Sequence, residues 1–111
     1  LHAPMTDGPP YREAAPLFDM AQFPNVYLKL TSAIIRRSRE GNATPESFFG
    51  KLLETFGSAR IAWGSNFPAV EGTLPELVAD ARSTLAILPA EDRESIFWRT
   101  AAALYPALAY E

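Results

Sequence analysis

The sequence contains no cysteine, no long apolar run and no excess of positive charge. The absence of cysteine excludes disulfides, thiolate nucleophiles and cysteine-ligated metals within this chain, and it leaves the compartment open, with the cytoplasm favoured. No apolar run approaches the roughly 20 residues that a membrane-spanning helix needs. The 10 Lys and Arg residues are outnumbered by 13 Asp and Glu, which gives a net charge of -3. We therefore expect neither a membrane nor a nucleic acid as partner.

The composition predicts one small globular domain over residues 1–111, since 48% of the residues are hydrophobic and 21% are charged. The chain begins with Leu1 rather than Met, directly on a pattern that is typical of the end of a strand. We therefore expect the natural amino terminus to lie upstream of Leu1.

The segment Ile61–Pro68 (IAWGSNFP) is the most informative stretch. Alternation places Ile61 and Trp63 on one face of a strand and the small residues between them on the other, until Pro68 ends it. If the bulky face meets helices, the first polar group with room to act is Asn66, at the carboxyl end of the strand. Parallel α/β folds place their chemistry at that end.

The rest of the chain alternates between strand and helix patterns. Strands are predicted at 1–3, 26–31 and 61–65, helices at 11–23, 44–57, 73–88 and 91–105, and a polar, basic loop at 32–42. Each crossover is close to the roughly 30 residues of a βαβ unit, so the sheet should be parallel. The chain is less than half of the roughly 250 residues of a closed eight-stranded barrel. We therefore interpret the fold as α/β, the terminal part of a larger barrel.

Several of these segments carry a family resemblance. They are Asn25–Thr31 (NVYLKLT), Phe56-Gly57, Arg60–Pro68, Ile96-Phe97, Thr100–Ala102 and Tyr105. In this order and spacing they resemble the carboxyl-terminal third of the amidohydrolase-related family, also called amidohydrolase 2. That family comprises TIM-barrel, or (β/α)8, hydrolases, lactonases and decarboxylases.

The resemblance implies that the three predicted strands are barrel strands six, seven and eight. His2 then matches an active-site histidine on strand six, and Asn66 matches a position where many members carry an aspartate. Arg36 and Arg37 follow strand seven where related lactonases present an arginine to a substrate carboxylate. A divalent metal such as Zn could bind in a full-length protein, but no complete metal site can be built from this chain, where His2 is the only histidine.

Each candidate also has a plainer interpretation. His2 could be an ordinary hydrogen-bonded side chain, and Asn66 could serve only the turn before Phe67-Pro68. Arg36, Arg37 and Arg39 could be a solvated loop. Lys29 would point into the barrel if Leu28 and Leu30 meet the helices. For this residue we favour a role in a structural ion pair over a role in catalysis. The apolar stripes of the helices, Trp63 and Trp98 are interpreted as packing residues.

The leading hypothesis is a hydrolase that opens a lactone, or cleaves a similar C–O or C–N bond, with activated water. His2 and Asn66 would act on the substrate, and Arg36 or Arg37 would hold an anionic group of a small molecule. A metal-dependent decarboxylase and a non-catalytic barrel domain are the alternatives. We expect residues 1–111 alone to have no turnover, and an oligomer is compatible with the sequence.

Overall fold

A computed structural model of the chain describes residues 5–105. It contains a two-stranded sheet of β1 (Leu28–Thr31) and β2 (Ile61–Gly64). The strands are parallel, with Leu28 opposite Ile61 and Thr31 opposite Gly64. The predicted parallel pairing of these two segments is confirmed, whereas the strand predicted at 1–3 lies outside the described residues.

Helices precede, separate and follow the two strands. They are α1 (Ala15–Asp19), α2 (Ser32–Arg37), α3 (Pro45–Phe56), α4 (Leu74–Thr84), α5 (Ala90–Glu94) and α6 (Thr100–Leu104). Short 3-10 turns lie at Arg12–Ala14, Met20–Gln22, Ser58–Arg60 and Leu85–Ile87, and a π-helical turn at Ser95–Arg99 joins α5 to α6. None of the helices between residues 5 and 105 is long and apolar enough to cross a membrane.

The helices cover one face of the sheet. Leu28, Leu30 and Ile61 point to that face and are at most 7% exposed. They belong to a cluster with the buried aromatic residues of α3 and with Ile96, and the Trp63 ring lies 5.8 Å from that of Phe97. The alternation of large apolar residues along the two strands therefore predicts correctly which face of the sheet is buried.

Helices α3 and α4 begin where the sequence predicts, and α3 also ends there, whereas α4 ends at Thr84 and a 3-10 turn follows it. Thr44 is the N-cap of α3 and accepts a hydrogen bond from the Ser47 amide at 3.2 Å, and Gly57 ends that helix with φ of 80°. A side chain would be strained at this φ, which explains the glycine. At α4, Thr73 and Glu76 form a reciprocal capping box with bonds of 2.9 and 3.3 Å.

The predicted loop at 32–42 is wrong in its first half, because α2 occupies Ser32–Arg37. Ile34 and Ile35 on this short helix are at most 1% exposed. Burial of two large aliphatic side chains outweighs the weak helical propensity of β-branched isoleucine, and this gain depends on contacts that are distant in sequence.

Smaller differences concern helix ends and two exposed residues. The helix predicted at 11–23 is a single α-helical turn between two 3-10 turns, and Pro16 lies in the first turn of α1. Leu74 belongs to the apolar stripe of α4 that the sequence predicts to pack, but it is 45% exposed because it is the first residue of the helix. Trp98 is 54% exposed rather than packed, since it follows Phe97 on the outer side of the helical run.

The core assignment predicts a large stability difference between two leucines. Leu52 on α3 is 1% exposed and Leu74 on α4 is 45% exposed. We expect Leu52→Ala to lower the free energy of unfolding by about 2–5 kcal/mol, since it leaves a cavity. Leu74→Ala, the matched control, should change it by less than about 0.5 kcal/mol. Urea denaturation measures both values, and equal losses would contradict the assignment.

Candidate functional site

The candidate site lies at the carboxyl edge of the parallel sheet. Thr31 and Gly64 are the last paired residues of β1 and β2, so Ser32 and Ser65 follow them at the same edge. Asn66 comes next after Ser65. The loop of residues 65–73 and helix α2 therefore start side by side, which brings the segments after the two strands together as predicted.

Asn66 is exposed and has a left-handed backbone with φ of 61°. Asparagine tolerates this conformation better than most residues. The backbone carbonyl oxygen of Asn66 accepts a hydrogen bond from the Ala69 amide at 2.8 Å. The Ser65 hydroxyl accepts one from the Phe67 backbone amide at 3.1 Å. Asn66 therefore forms a turn, as the plainer interpretation states, while its side chain stays open to solvent. Its catalytic role stays a prediction.

Arg36 reaches from α2 to the loop that carries Asn66. Its Nη2 donates to the backbone carbonyl of Glu71. A Cβ atom at Gly72, whose φ is 115°, would lie 3.4 Å from the same Nη2, so the loop backbone passes close to the guanidinium. Arg36 is thus a link between the segments that follow β1 and β2. Substrate binding by Arg36 stays a prediction.

The other arginines of this region differ in their surroundings. Arg37 is half-buried at the end of α2. Arg39 forms a two-pronged ion pair with Asp80 on α4, at 3.1 and 3.2 Å, and donates to the Thr84 hydroxyl at 2.5 Å. Arg39 is therefore a tie between α4 and the turn after α2, rather than a freely solvated side chain.

Lys29 lies on the face of the sheet that the helices leave open, and it is exposed. The ion pairs found between residues 5 and 105 are Arg39–Asp80 and Glu94–Arg99. The structural ion pair predicted for Lys29 is therefore absent from the described part of the chain.

Ser32 is a polar residue at this edge that the sequence interpretation missed. It is 1% exposed, and its hydroxyl has no hydrogen-bond partner in the part of the chain that the structure describes. The sequence contained one signal for Ser32, because the alternating residues of β1 end in a serine directly after Thr31. The assignment of residues 32–42 to a polar, basic loop outweighed this signal.

Glu76 has a pKa below its ordinary value of 4.5. The largest cause is the hydrogen bond from the Thr73 backbone amide, followed by the bond with the Thr73 side chain, and the charge of Arg36 acts in the same direction. These groups favour the ionised carboxylate. The capping box and Arg36 together hold the end of the loop that begins at Ser65.

A metal site cannot be assembled from the described residues. Between Met5 and Tyr105, no three His, Cys, Asp or Glu side chains lie close enough together to hold a metal ion. His2, the predicted catalytic histidine, lies outside this range. Asn66 offers a neutral oxygen that does not offset the charge of a Zn ion.

The comparison with protein families agrees with the parallel α/β arrangement. The family profile described as amidohydrolase matches residues 1–107, which is nearly the whole chain. The chain therefore belongs to the amidohydrolase family, whose members are generally enzymes. No curated protein and no solved structure matches it.

The Arg36 contact predicts a local effect on the loop. Arg36→Gln should lower the free energy of unfolding by about 1 kcal/mol, because the bond to the Glu71 carbonyl is lost. The backbone order parameters of residues 69–73, measured by NMR relaxation, should fall. Arg37→Gln is the matched control on the same helix and should leave the loop unchanged. Equal effects of both variants would contradict a specific role of Arg36 in holding the loop.

The lowered pKa of Glu76 predicts a pH-dependent contribution to stability. Glu76→Gln keeps a side chain that can form the capping box but removes the charge. The wild type should be the more stable protein above pH 4.5, where Glu76 is ionised in both folded and unfolded chains. The difference should vanish as the pH falls through the lower folded-state pKa. Urea denaturation of both proteins between acidic and neutral pH measures this, and a constant difference would contradict it.

Proposed function

We propose that this amidohydrolase-family chain is the carboxyl-terminal part of a TIM barrel, with β1 and β2 as strands seven and eight. The family match supports the barrel, and the sheet supports the position of the strands. One sheet face is covered by helices and the other is open, as the outside and inside of a barrel require. Strands from outside residues 5–105 would complete the barrel.

The proposed reaction is the opening of a lactone, or the cleavage of a similar C–O or C–N bond, by activated water. The observation that carries it is the link from Arg36 to the loop that carries Asn66, at the carboxyl edge of parallel strands in a chain of this family. The Asn66 amide has two N–H donors and one acceptor oxygen, so it can orient a carbonyl or a water. It is too weakly basic to act as general base.

The remaining roles in this proposal are assigned as follows. His2 polarises or holds the substrate, and a proton acceptor comes from outside the described residues. Arg36 or Arg37 anchors an anionic group of the substrate. A guanidinium has five N–H donors, so the bond from Arg36 to the Glu71 carbonyl leaves others for a carboxylate.

One observation favours a second candidate function, a barrel domain without catalysis. The left-handed backbone and the turn to Ala69 already account for an asparagine at position 66. The upstream coding sequence separates the candidates, because a His-x-His pair on strand one favours metal chemistry. A decarboxylase would be recognised by bound divalent metal and released carbon dioxide.

We expect the protein with its upstream strands to hydrolyse at least one member of a lactone and amide panel, and residues 1–111 alone to have no turnover. Asn66→Gly removes the amide but tolerates φ of 61°. It should lower kcat by about 100-fold, the effect of losing one donor to the reacting oxygen. Initial rates and circular dichroism of both proteins measure activity and folding.

Asn66→Asp is the control of matched shape, since aspartate also tolerates the left-handed region. It should fold as the wild type does and show a changed pH–rate profile, because a carboxylate can accept a proton. Full activity of Asn66→Gly, or a panel without any hydrolysis together with no effect of His2→Ala, would remove the proposal.

A further inference from the structure

We infer that Lys29 is an anion-binding group of this site and that its ammonium selects substrates carrying a carboxylate. The inference rests on the proposed function for the identity of the reaction, but the geometry of Lys29 can be tested without turnover. It assigns a binding role to a residue that the sequence interpretation treated as structural.

The side chain of Lys29 runs along the open face of the sheet towards its carboxyl edge. Lys29 is opposite Ala62 in the parallel register, and Gly64 lies two residues further along β2. A Cβ atom at Gly64 would lie 2.8 Å from Cε of Lys29, 3.8 Å from Cδ and 3.7 Å from Cγ. The stem therefore leans from the level of Ala62 towards that of Gly64, which lies about 7 Å further along β2 at a rise of about 3.3 Å per residue.

Gly64 makes this position possible. A distance of 2.8 Å is shorter than carbon atoms tolerate, so any side chain at position 64 would displace the lysine stem. The absence of a Cβ lets the stem lie against the strand and delivers Nζ, one bond beyond Cε, to the level where the strands end. Asn66 follows Gly64 by two residues, so the cation and the amide approach the same edge.

The ammonium has no carboxylate partner within the described range, where the two ion pairs use other residues. Among the paired residues of the two strands, the neighbours of Lys29 on its face are Thr31, Ala62 and Gly64, none of which is charged. A lysine whose stem lies against the sheet, and whose three N–H donors have no partner among residues 5–105, fits a ligand with negative charge. A carboxylate near the scissile bond of a small molecule meets that requirement.

The sequence offers a direct binding test, because Lys29 and Lys51 are its only lysines. Protein labelled with 13C-lysine therefore gives two Cε signals. Lys51 is an internal control, since its Nζ donates to the Pro10 carbonyl at 2.6 Å on another part of the surface. Glutarate, a small dicarboxylate, is titrated at constant ionic strength, and neutral glutaramide is the matched control ligand.

We expect glutarate to shift the Lys29 signal at least about threefold more than the Lys51 signal, and glutaramide to shift neither. Gly64→Ala should move the Lys29 signal of the free protein and abolish its larger response, because the new methyl group displaces the stem. Lys51→Met should leave the Lys29 response unchanged. Equal responses of the two lysines, or no effect of Gly64→Ala, would overturn the inference.

Turnover supplies a second readout in the protein with its upstream strands. Lys29→Met should raise KM for a lactone that carries a carboxylate by about tenfold to 100-fold, and leave KM for its methyl ester unchanged. Lys29→Arg should restore part of the loss. An equal effect on both lactones would overturn the role of Lys29. A panel without hydrolysis would remove the proposed function, and the NMR titration would still decide whether Lys29 binds anions.

Discussion

The parallel pairing of β1 with β2 is the constraint on which the rest of this structure depends. A pair of four-residue strands has few hydrogen bonds and is only marginally stable without cover. Its stability therefore comes from the burial of Leu28, Leu30 and Ile61 under the helices. Because side chains alternate, this burial directs the residues between them to the opposite face. The packing of the core thus decides which groups are left to meet a ligand.

The edge beyond the paired residues is held together mainly by arginines. Arg36 bonds to the Glu71 carbonyl, 35 residues away, and Arg39 pairs with Asp80. Partly exposed ion pairs contribute little to stability, typically less than about 1 kcal/mol. The importance of both contacts is geometric, because Arg36 fixes α2, and Arg39 the turn after it, against the segment from Glu71 to Asp80. An arginine at this edge can therefore either hold the loop in place or bind a substrate, and its position alone does not distinguish the two roles.

The sequence predicted the elements whose signals are local. Thr44 and Gly57 marked the ends of α3, and the period of two marked β1 and β2. It failed for α2, whose six residues lack a side-chain cap and are helical because Ile34 and Ile35 are buried against distant elements. At the site, the parallel order of strands predicted that the segments after β1 and β2 share an edge, while Arg36 was a candidate only through the family resemblance. The Glu71 carbonyl as a partner of Arg36 could not be predicted, since that contact depends on the folded path of the loop.

The charges at this edge also limit the chemistry. Asn66 contributes no negative charge, Lys29 and Arg36 contribute positive charge, and the Glu76 carboxylate is held by the capping box. Cations and amide donors stabilise an oxyanion that develops during attack on a carbonyl, but they cannot take the proton from the attacking water. In the proposed function, the described edge therefore holds an anionic substrate and its reacting oxygen. The base is the group whose origin decides whether this edge is catalytic, because no residue between 5 and 105 is proposed to supply it.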